Sequence, residues 1–191
     1  MIKQALILVS ASLVFPATAH GQAYQSTSTV IHRVMGVHPQ AAACYEAAGA
    51  SKVSRASFYL CDEALRRTDL EYADWVSTVV NRGVLKYRLN QYDSAISDFD
   101  AVLAQDPNHA EALIDKGLAI IASGKPPETA VPLLSAGLAF RPDASVAYFG
   151  RATAYEMSAN YRAAYQDYQR AKMLSPTWRA PKQALSRFSF R

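Results

Sequence analysis

The fold of this chain is decided by the stretch VNRGVLKYRLNQYDSAISDFDAVLAQDPN, residues 80–108, because its pattern returns twice. The later copies are IDKGLAIIASGKPPETAVPLLSAGLAFRPD (114–143) and FGRATAYEMSANYRAAYQDYQRAKMLSP (149–176). Four kinds of residue recur in register at intervals of 34 and 35 residues. They are a small residue (Gly83, Gly117, Ala152), an alanine (Ala95, Ala130, Ala164), a large apolar residue (Phe99, Leu134, Tyr168) and a proline (Pro107, Pro142, Pro176). One added residue within 125–128 explains every interval of 35 rather than 34 residues, which makes a chance match implausible.

Each recurring residue has a physical role in a pair of packed helices. The small residue in the first half and the alanine in the second allow two helices to cross at close range. The large apolar side chain fills the space between the helices. Proline ends the second helix because it lacks a backbone N–H and disfavours helical geometry in the residue before it. Each unit is therefore predicted to be a helix–turn–helix with an apolar face that a neighbouring unit covers.

The length of the unit and its small, aromatic and proline positions resemble the tetratricopeptide repeat (TPR) family. The resemblance covers about 76–178 as three repeats, about 76–109, 110–144 and 145–178, in a domain that spans 71–178. It implies an all-α fold, a right-handed α-solenoid of helix–turn–helix units. The second repeat departs from the family pattern at Thr129 and at the double proline Pro126-Pro127. That departure predicts a distorted turn between its two helices.

Weaker patterns extend the repeats in both directions. Cys61 stands 38 residues before Phe99, which predicts a degenerate helical repeat over 41–70 with one helix over 41–49. The four residues beyond the usual interval equal about one helical turn, so an entry turn and a lengthened first helix are predicted over 69–88. A capping helix is predicted over 179–191, because an uncovered last repeat exposes core surface. Residues 24–40 are predicted to be a tether.

Residues 1–23 have the three-part form of a secretory signal peptide. Lys3 supplies the positive charge, residues 5–15 are an apolar run, and cleavage is predicted after Ala19 or Ala23. The run is shorter than the roughly 20 residues that span a bilayer as a helix. A retained signal anchor is the alternative. The sequence thus predicts an exported protein, periplasmic or secreted, with no membrane span after the leader is removed.

The composition narrows the class of protein. The chain has 191 residues, half of them hydrophobic, with a formal net charge of +4. This balance is typical of a globular protein and excludes intrinsic disorder, and so mild a charge does not indicate nucleic-acid binding. No GxSxG, phosphate-binding or dinucleotide motif is present, and the histidines do not assemble into a metal site. The sequence therefore predicts no enzyme activity, no cofactor and no metal.

The two cysteines, Cys44 and Cys61, fall on opposite helices of the degenerate repeat, 17 residues apart. Packed antiparallel helices lie about 8 to 10 Å apart, close enough for facing cysteines to pair. An exported protein also meets an oxidising compartment. A structural disulfide is the favoured interpretation. Two buried free thiols and a redox-active pair are the alternatives.

Two aspartates occupy matching places, each directly before the aromatic residue of a second helix. Asp98 and Asp167 lie two repeats apart and so cannot flank one substrate atom. They are predicted to be solvated or capping charges.

The TPR resemblance implies that the first helices line a concave groove that accepts an extended or helical peptide. Val80 and Val84 stand where some family members carry a carboxylate-binding lysine or asparagine, so carboxylate capture is not expected. An apolar groove is predicted instead, with Leu118 central and exposed in the free protein. Filling of the groove by the chain's own tether, or by a second copy, is the alternative. The predicted lining residues are Val80, Asn81, Val84, Tyr87, Ile114, Asp115, Leu118, Ile121, Phe149 and Glu156.

These inferences favour a non-catalytic exported scaffold that binds an unidentified protein or peptide through this groove. Two alternatives stay open. One is an accessory subunit of an envelope enzyme or assembly complex, for instance in envelope thiol chemistry. The other is an obligate homo-oligomer with a self-filled groove.

Overall fold

The computed structural model describes residues 7–8 and 38–190, with the backbone alone at 7, 8, 189 and 190. The rest of the predicted leader, and residues 24–37 of the predicted tether, lie outside the described residues. Within them the α-helices are α1 (Pro39–Gly49), α2 (Arg55–Leu65), α3 (Tyr72–Arg88), α4 (Tyr92–Gln105), α5 (Ala110–Ala122), α6 (Ala130–Phe140), α7 (Ser145–Met157), α8 (Tyr161–Leu174) and α9 (Arg179–Leu185).

Consecutive helices pack as hairpins, and each hairpin packs on the next. The pairs are α1 with α2, α3 with α4, α5 with α6 and α7 with α8, and α9 covers α8. The predicted all-α fold is confirmed. Two short strands add to it: β1 (Ile7–Leu8) pairs antiparallel with β2 (Ser189–Phe190). Because β1 lies in the predicted leader, cleavage there would remove this ladder. In the described part of the chain, every helix is too short or too polar to cross a membrane.

The close helix crossings expected from the repeated small residues are present. A Cβ atom on Gly83 would lie 2.5 Å from Cε1 of Phe99, and one on Gly117 would lie 2.7 Å from Cγ of Leu134. The alanines of the second helices, such as Ala95 and Ala164, are fully buried. In the first and second repeats, the missing side chain of the glycine therefore leaves the space that the large side chain fills.

The turn between the two helices of a repeat uses one backbone conformation three times. Asn90 has φ 59°, Gly124 has φ 76° and Ala159 has φ 59°. These residues stand 34 and 35 apart, so they are one column of the repeat. The left-handed conformation suits glycine and, to a lesser degree, asparagine, whereas it costs an alanine about 1–2 kcal/mol. Three different residue types occupy this column, so the sequence alone does not reveal it.

The turn of the second repeat is distorted, as its double proline predicts. A short 3₁₀ helix, Pro127–Thr129, precedes α6. Helix α6 has 11 residues, whereas α4 and α8 have 14 each. Proline cannot donate the backbone hydrogen bond that a continuous helix needs there, so the first turn of the helix is replaced.

The first hairpin is joined by a disulfide between Cys44 on α1 and Cys61 on α2. The two Cα atoms are 4.6 Å apart, and both residues are fully buried. Helix α1 begins at Pro39 rather than at Ala41, so the end of the predicted tether is helical. Proline favours the first helical position because its missing N–H would have no helical partner there.

The chain closes with the short helix α9, which ends at Leu185 and not at the predicted 191. Aromatic side chains dock this end onto the last repeat. The ring centroid of Trp178 lies 4.8 Å from that of Phe149, and Phe188 lies 6.0 Å from Tyr168. Such pairs contribute beyond the area they bury, so α9 is anchored despite its length.

Candidate functional site

The ten predicted groove residues lie on the first helices of the three repeats. These helices, α3, α5 and α7, stand side by side, since α3 contacts α5 and α5 contacts α7. We call their ten side chains the first-helix face. The residues are Val80, Asn81, Val84 and Tyr87 on α3, Ile114, Asp115, Leu118 and Ile121 on α5, and Phe149 and Glu156 on α7.

The exposure expected for this face is not observed. Nine of the ten residues are buried, and Ile121 alone of the ten is half-buried. Leu118, predicted to be exposed, has 3% of its surface accessible. The prediction of an exposed Leu118 is wrong because Leu118, Val84 and Ile114 belong to the contiguous apolar core of the molecule. A substitution there acts on the core before it acts on any partner.

Glu156 is engaged by the end of the chain. The guanidinium of Arg187 donates to both carboxylate oxygens, at 3.1 and 2.7 Å, and the Tyr168 hydroxyl donates to one at 2.6 Å. The Thr153 hydroxyl lies 3.2 Å from that of Tyr168. Burial, followed by the charge of Glu156, raises the pKa of Tyr168 well above its usual value. Glu156 therefore ties the last repeat to the segment after α9.

Phe149 is likewise part of the packing at this end. Its ring centroid lies 5.3 Å from that of Tyr168 and 4.8 Å from that of Trp178. On α3, Tyr87 packs against Tyr92 with ring centroids 5.6 Å apart. Burial raises the pKa of Tyr87 well above its usual value, and the nearby Tyr92 and Asp115 add to the shift. Both aromatic side chains of the face thus stabilise the fold.

Asp98 and Asp167 are not solvated charges; both are buried and ion-paired. In the first repeat, Arg82 donates to the two oxygens of Asp98 at 3.0 and 2.7 Å. In the third repeat, Arg151 donates to the two oxygens of Asp167 at 2.7 and 2.9 Å. A planar guanidinium matches a carboxylate in this two-point geometry. The prediction was wrong because it considered the aspartates without their partners 16 residues earlier.

Each arginine also reaches the second helix of the preceding hairpin. Arg82 donates to Asp62 on α2 at 2.8 Å, and Arg151 donates to Ser135 on α6 at 3.0 Å. Burial tends to lower the pKa of Arg82, but the hydrogen bonds and charges of Asp98 and Asp62 outweigh it and raise the pKa overall. We call each of these arrangements an arginine clamp. It joins three helices from two successive hairpins.

Solved structures share this architecture. MamA matches with a TM-score of 0.57 and 17% identity over 68% of this chain and 72% of its own. The 41-end form of MamA from Desulfovibrio magneticus RS-1 matches with a TM-score of 0.60 and 20% identity, over 79% and 90% of the two chains. The first TPR domain of human RPAP3 matches with a TM-score of 0.50 and 21% identity, over 58% and 92%.

The chain has the TPR fold. Neither a protein-family model nor a curated protein matches it.

Neither the contact of Arg187 with Glu156 of the first-helix face nor the two arginine clamps was predicted from the sequence. The clamps left a readable signal, because an arginine precedes an aspartate by 16 residues in the first and third repeats. The contact of Arg187 left no such signal in the sequence, since the periodicity of a TPR array does not indicate which repeat the segment after α9 contacts.

Proposed function

We propose that this protein is a non-catalytic scaffold that binds a protein or peptide through its first-helix face. The apolar continuity of that face carries the proposal. Three neighbouring helices bring together Val80 and Val84, then Ile114 and Leu118, then Phe149. Apolar side chains at helical spacing are what an amphipathic partner segment recognises.

The burial of the apolar residues of the first-helix face limits how a partner can bind there. Because these side chains are already buried in the single chain, a partner has to replace packing that the chain supplies itself. The same burial is also what a face that only stabilises the fold would show. Occupation of the face by the tether or by a second copy is a separate alternative. Ile121, half-buried on α5, is the member of the face through which a partner gains first access.

We further propose that the scaffold works outside the cytoplasm. The disulfide between Cys44 and Cys61 supports this, because such bonds persist in oxidising compartments. The leader predicted over 1–23 supports it independently. Whether the scaffold serves an enzyme, an assembly complex or a second copy of itself is decided by the identity of the captured partner.

Site-specific photo-cross-linking in cells tests the binding proposal. A benzophenone amino acid replaces Ile121 on α5 in one variant and Leu133 on α6 in a matched control. Both positions are half-buried and pack against the core, but Leu133 lies on a second helix. We expect a discrete cross-linked partner from position 121 and none from 133. Equal cross-linking from both positions, or none from 121, contradicts binding at this face.

A further inference from the structure

The charges of this chain are segregated along the solenoid. Residues 144–188 contain seven basic side chains and two acidic ones, whereas residues 89–143 contain three basic and eight acidic ones. The formal net charge of +4 for the whole chain conceals this division. The last repeat and the cap therefore form a basic end beside an acidic middle.

The two acidic residues of the basic end, Glu156 and Asp167, are buried and do not contribute negative charge to its surface. Glu156 is bonded by Arg187 and Asp167 by Arg151, and both carboxylates are buried. No exposed carboxylate remains anywhere in 144–188. A surface of this kind keeps a positive potential because nothing on it neutralises the cations.

Five exposed cations occupy this surface, on α8, on α9 and at their ends. None of them forms an ion pair with a carboxylate in the described part of the chain. Exposed glutamines, Gln166 and Gln169 on α8 and Gln183 on α9, lie among them and can donate further hydrogen bonds. We call this surface the basic patch; its cations are Arg162, Arg170, Lys172, Arg179 and Lys182.

One cation of the patch is held in position. The guanidinium carbon of Arg170 lies 5.8 Å from the ring centroid of Tyr148, which Arg151 also approaches at 5.6 Å. A cation over an aromatic ring is stabilised by the ring's quadrupole. This contact favours one position of the Arg170 side chain, which lowers the entropic cost of binding.

We propose that the basic patch binds an acidic segment of a partner protein. Unpaired cations and amide donors on the exposed sides of two contacting helices match a run of carboxylates. A lipid surface fits less well, because Met173 is the single exposed large apolar residue on α8 and α9 that could insert. A nucleic acid fits less well too, because none of the exposed aromatic residues of the described chain, Tyr59, Tyr72 and Phe140, lies on α8 or α9.

The basic patch is distinct from the first-helix face, so the two binding proposals are tested independently of each other. It is tested by the binding of a fluorescent twelve-glutamate peptide to the purified protein, measured by anisotropy at about 150 mM salt. The patch variant replaces the five cations of the basic patch with glutamine. The matched control replaces five other exposed cations with glutamine, so that net charge falls equally: Lys52, Arg55, Arg66, Arg67 and Lys125.

We expect the patch variant to bind the peptide at least about tenfold more weakly than the wild type and the control to change by less than about twofold, because the attraction is local rather than a matter of net charge. Melting temperature and helical content of both variants serve as folding controls. Equal weakening in both variants overturns the proposal, as does failure of the wild type to bind. Tighter binding to phosphatidylglycerol vesicles than to the peptide overturns it in favour of lipid. Salt-sensitive self-association that the patch variant loses overturns it in favour of a second copy.

Discussion

The second repeat differs from the first and third in its polar contacts, although all three carry the same columns of small and large apolar residues. The first and third repeats each carry an arginine clamp, centred on Asp98 and on Asp167. In the second repeat the corresponding positions hold Lys116 and Leu133, and Lys116 pairs instead with the exposed Asp100. The glycine–leucine crossing is nevertheless as tight as the glycine–phenylalanine crossing. The comparison shows that apolar columns suffice to form a repeat and that the clamp is an addition.

Removing the large apolar side chain from either kind of repeat should have the largest effect. We expect Phe99→Ala to cost about 3–5 kcal/mol of unfolding free energy and Leu134→Ala about 2–5 kcal/mol, since each empties a fully buried site. Urea unfolding followed by circular dichroism measures both. Stability retained in Leu134→Ala would show that the second repeat is held by something other than its crossing.

The first hairpin differs from the repeats at the position of the large apolar residue. Cys61 stands there in place of a residue such as Phe99, and it is bonded to Cys44. Breaking this bond with the pair Cys44→Ser and Cys61→Ser should cost about 3 kcal/mol, the value expected for a loop of this length. Mass spectrometry of the unreduced native protein should first find it two hydrogens lighter than the reduced form. Two alkylatable thiols in the native protein would contradict the disulfide.

Asp98→Ala tests the clamp together with a second ion pair, because Nζ of Lys86 lies 2.7 Å from Oδ2 of Asp98. It leaves the guanidinium of Arg82, a quarter exposed, without its main partner, and we expect a loss of about 2–3 kcal/mol. Asp100→Ala is the control, because it breaks a pair between Lys116 of the second repeat and the exposed Asp100 of the first, and it should cost less than about 1 kcal/mol. Equal losses from the two substitutions would mean that the clamp contributes no more than a surface ion pair.

The smallest effect is expected in the turns. Ala159→Gly should stabilise the third repeat by about 0.5–1 kcal/mol, because glycine adopts the positive φ without the steric cost that alanine bears. Asn90→Gly in the first repeat should change stability less, since asparagine tolerates this conformation better. The difference in melting temperature between the two variants gives the measurement. A destabilised Ala159→Gly would show that the methyl group contributes more than the strain costs.

The sequence predicted the features of this fold that repeat, and it failed where contacts do not repeat. The roles of Gly83 and Phe99 could be predicted because each belongs to a column that recurs in three repeats. The distorted turn of the second repeat could be predicted because proline lacks the backbone N–H that a continuous helix needs. The burial of Leu118 was not readable, because periodicity places a residue on a face of its helix but does not say how that face is packed. The return of Arg187 to Glu156 is a single long-range contact, and no local pattern encodes such a contact.

The reach of each arginine clamp into the preceding hairpin has a consequence for the order in which the solenoid opens. Arg82 couples the first repeat to α2, and Arg151 couples the third to α6. The second repeat is coupled to the first by two ion pairs whose carboxylates are exposed, Lys116–Asp100 and Lys125–Asp93. Stability in a linear array depends on such nearest-neighbour terms. The junction between α4 and α5 is therefore where native-state hydrogen exchange should divide the molecule into two cooperative units. Amides of α1 to α4 should exchange together, and those of α5 to α9 as a second group.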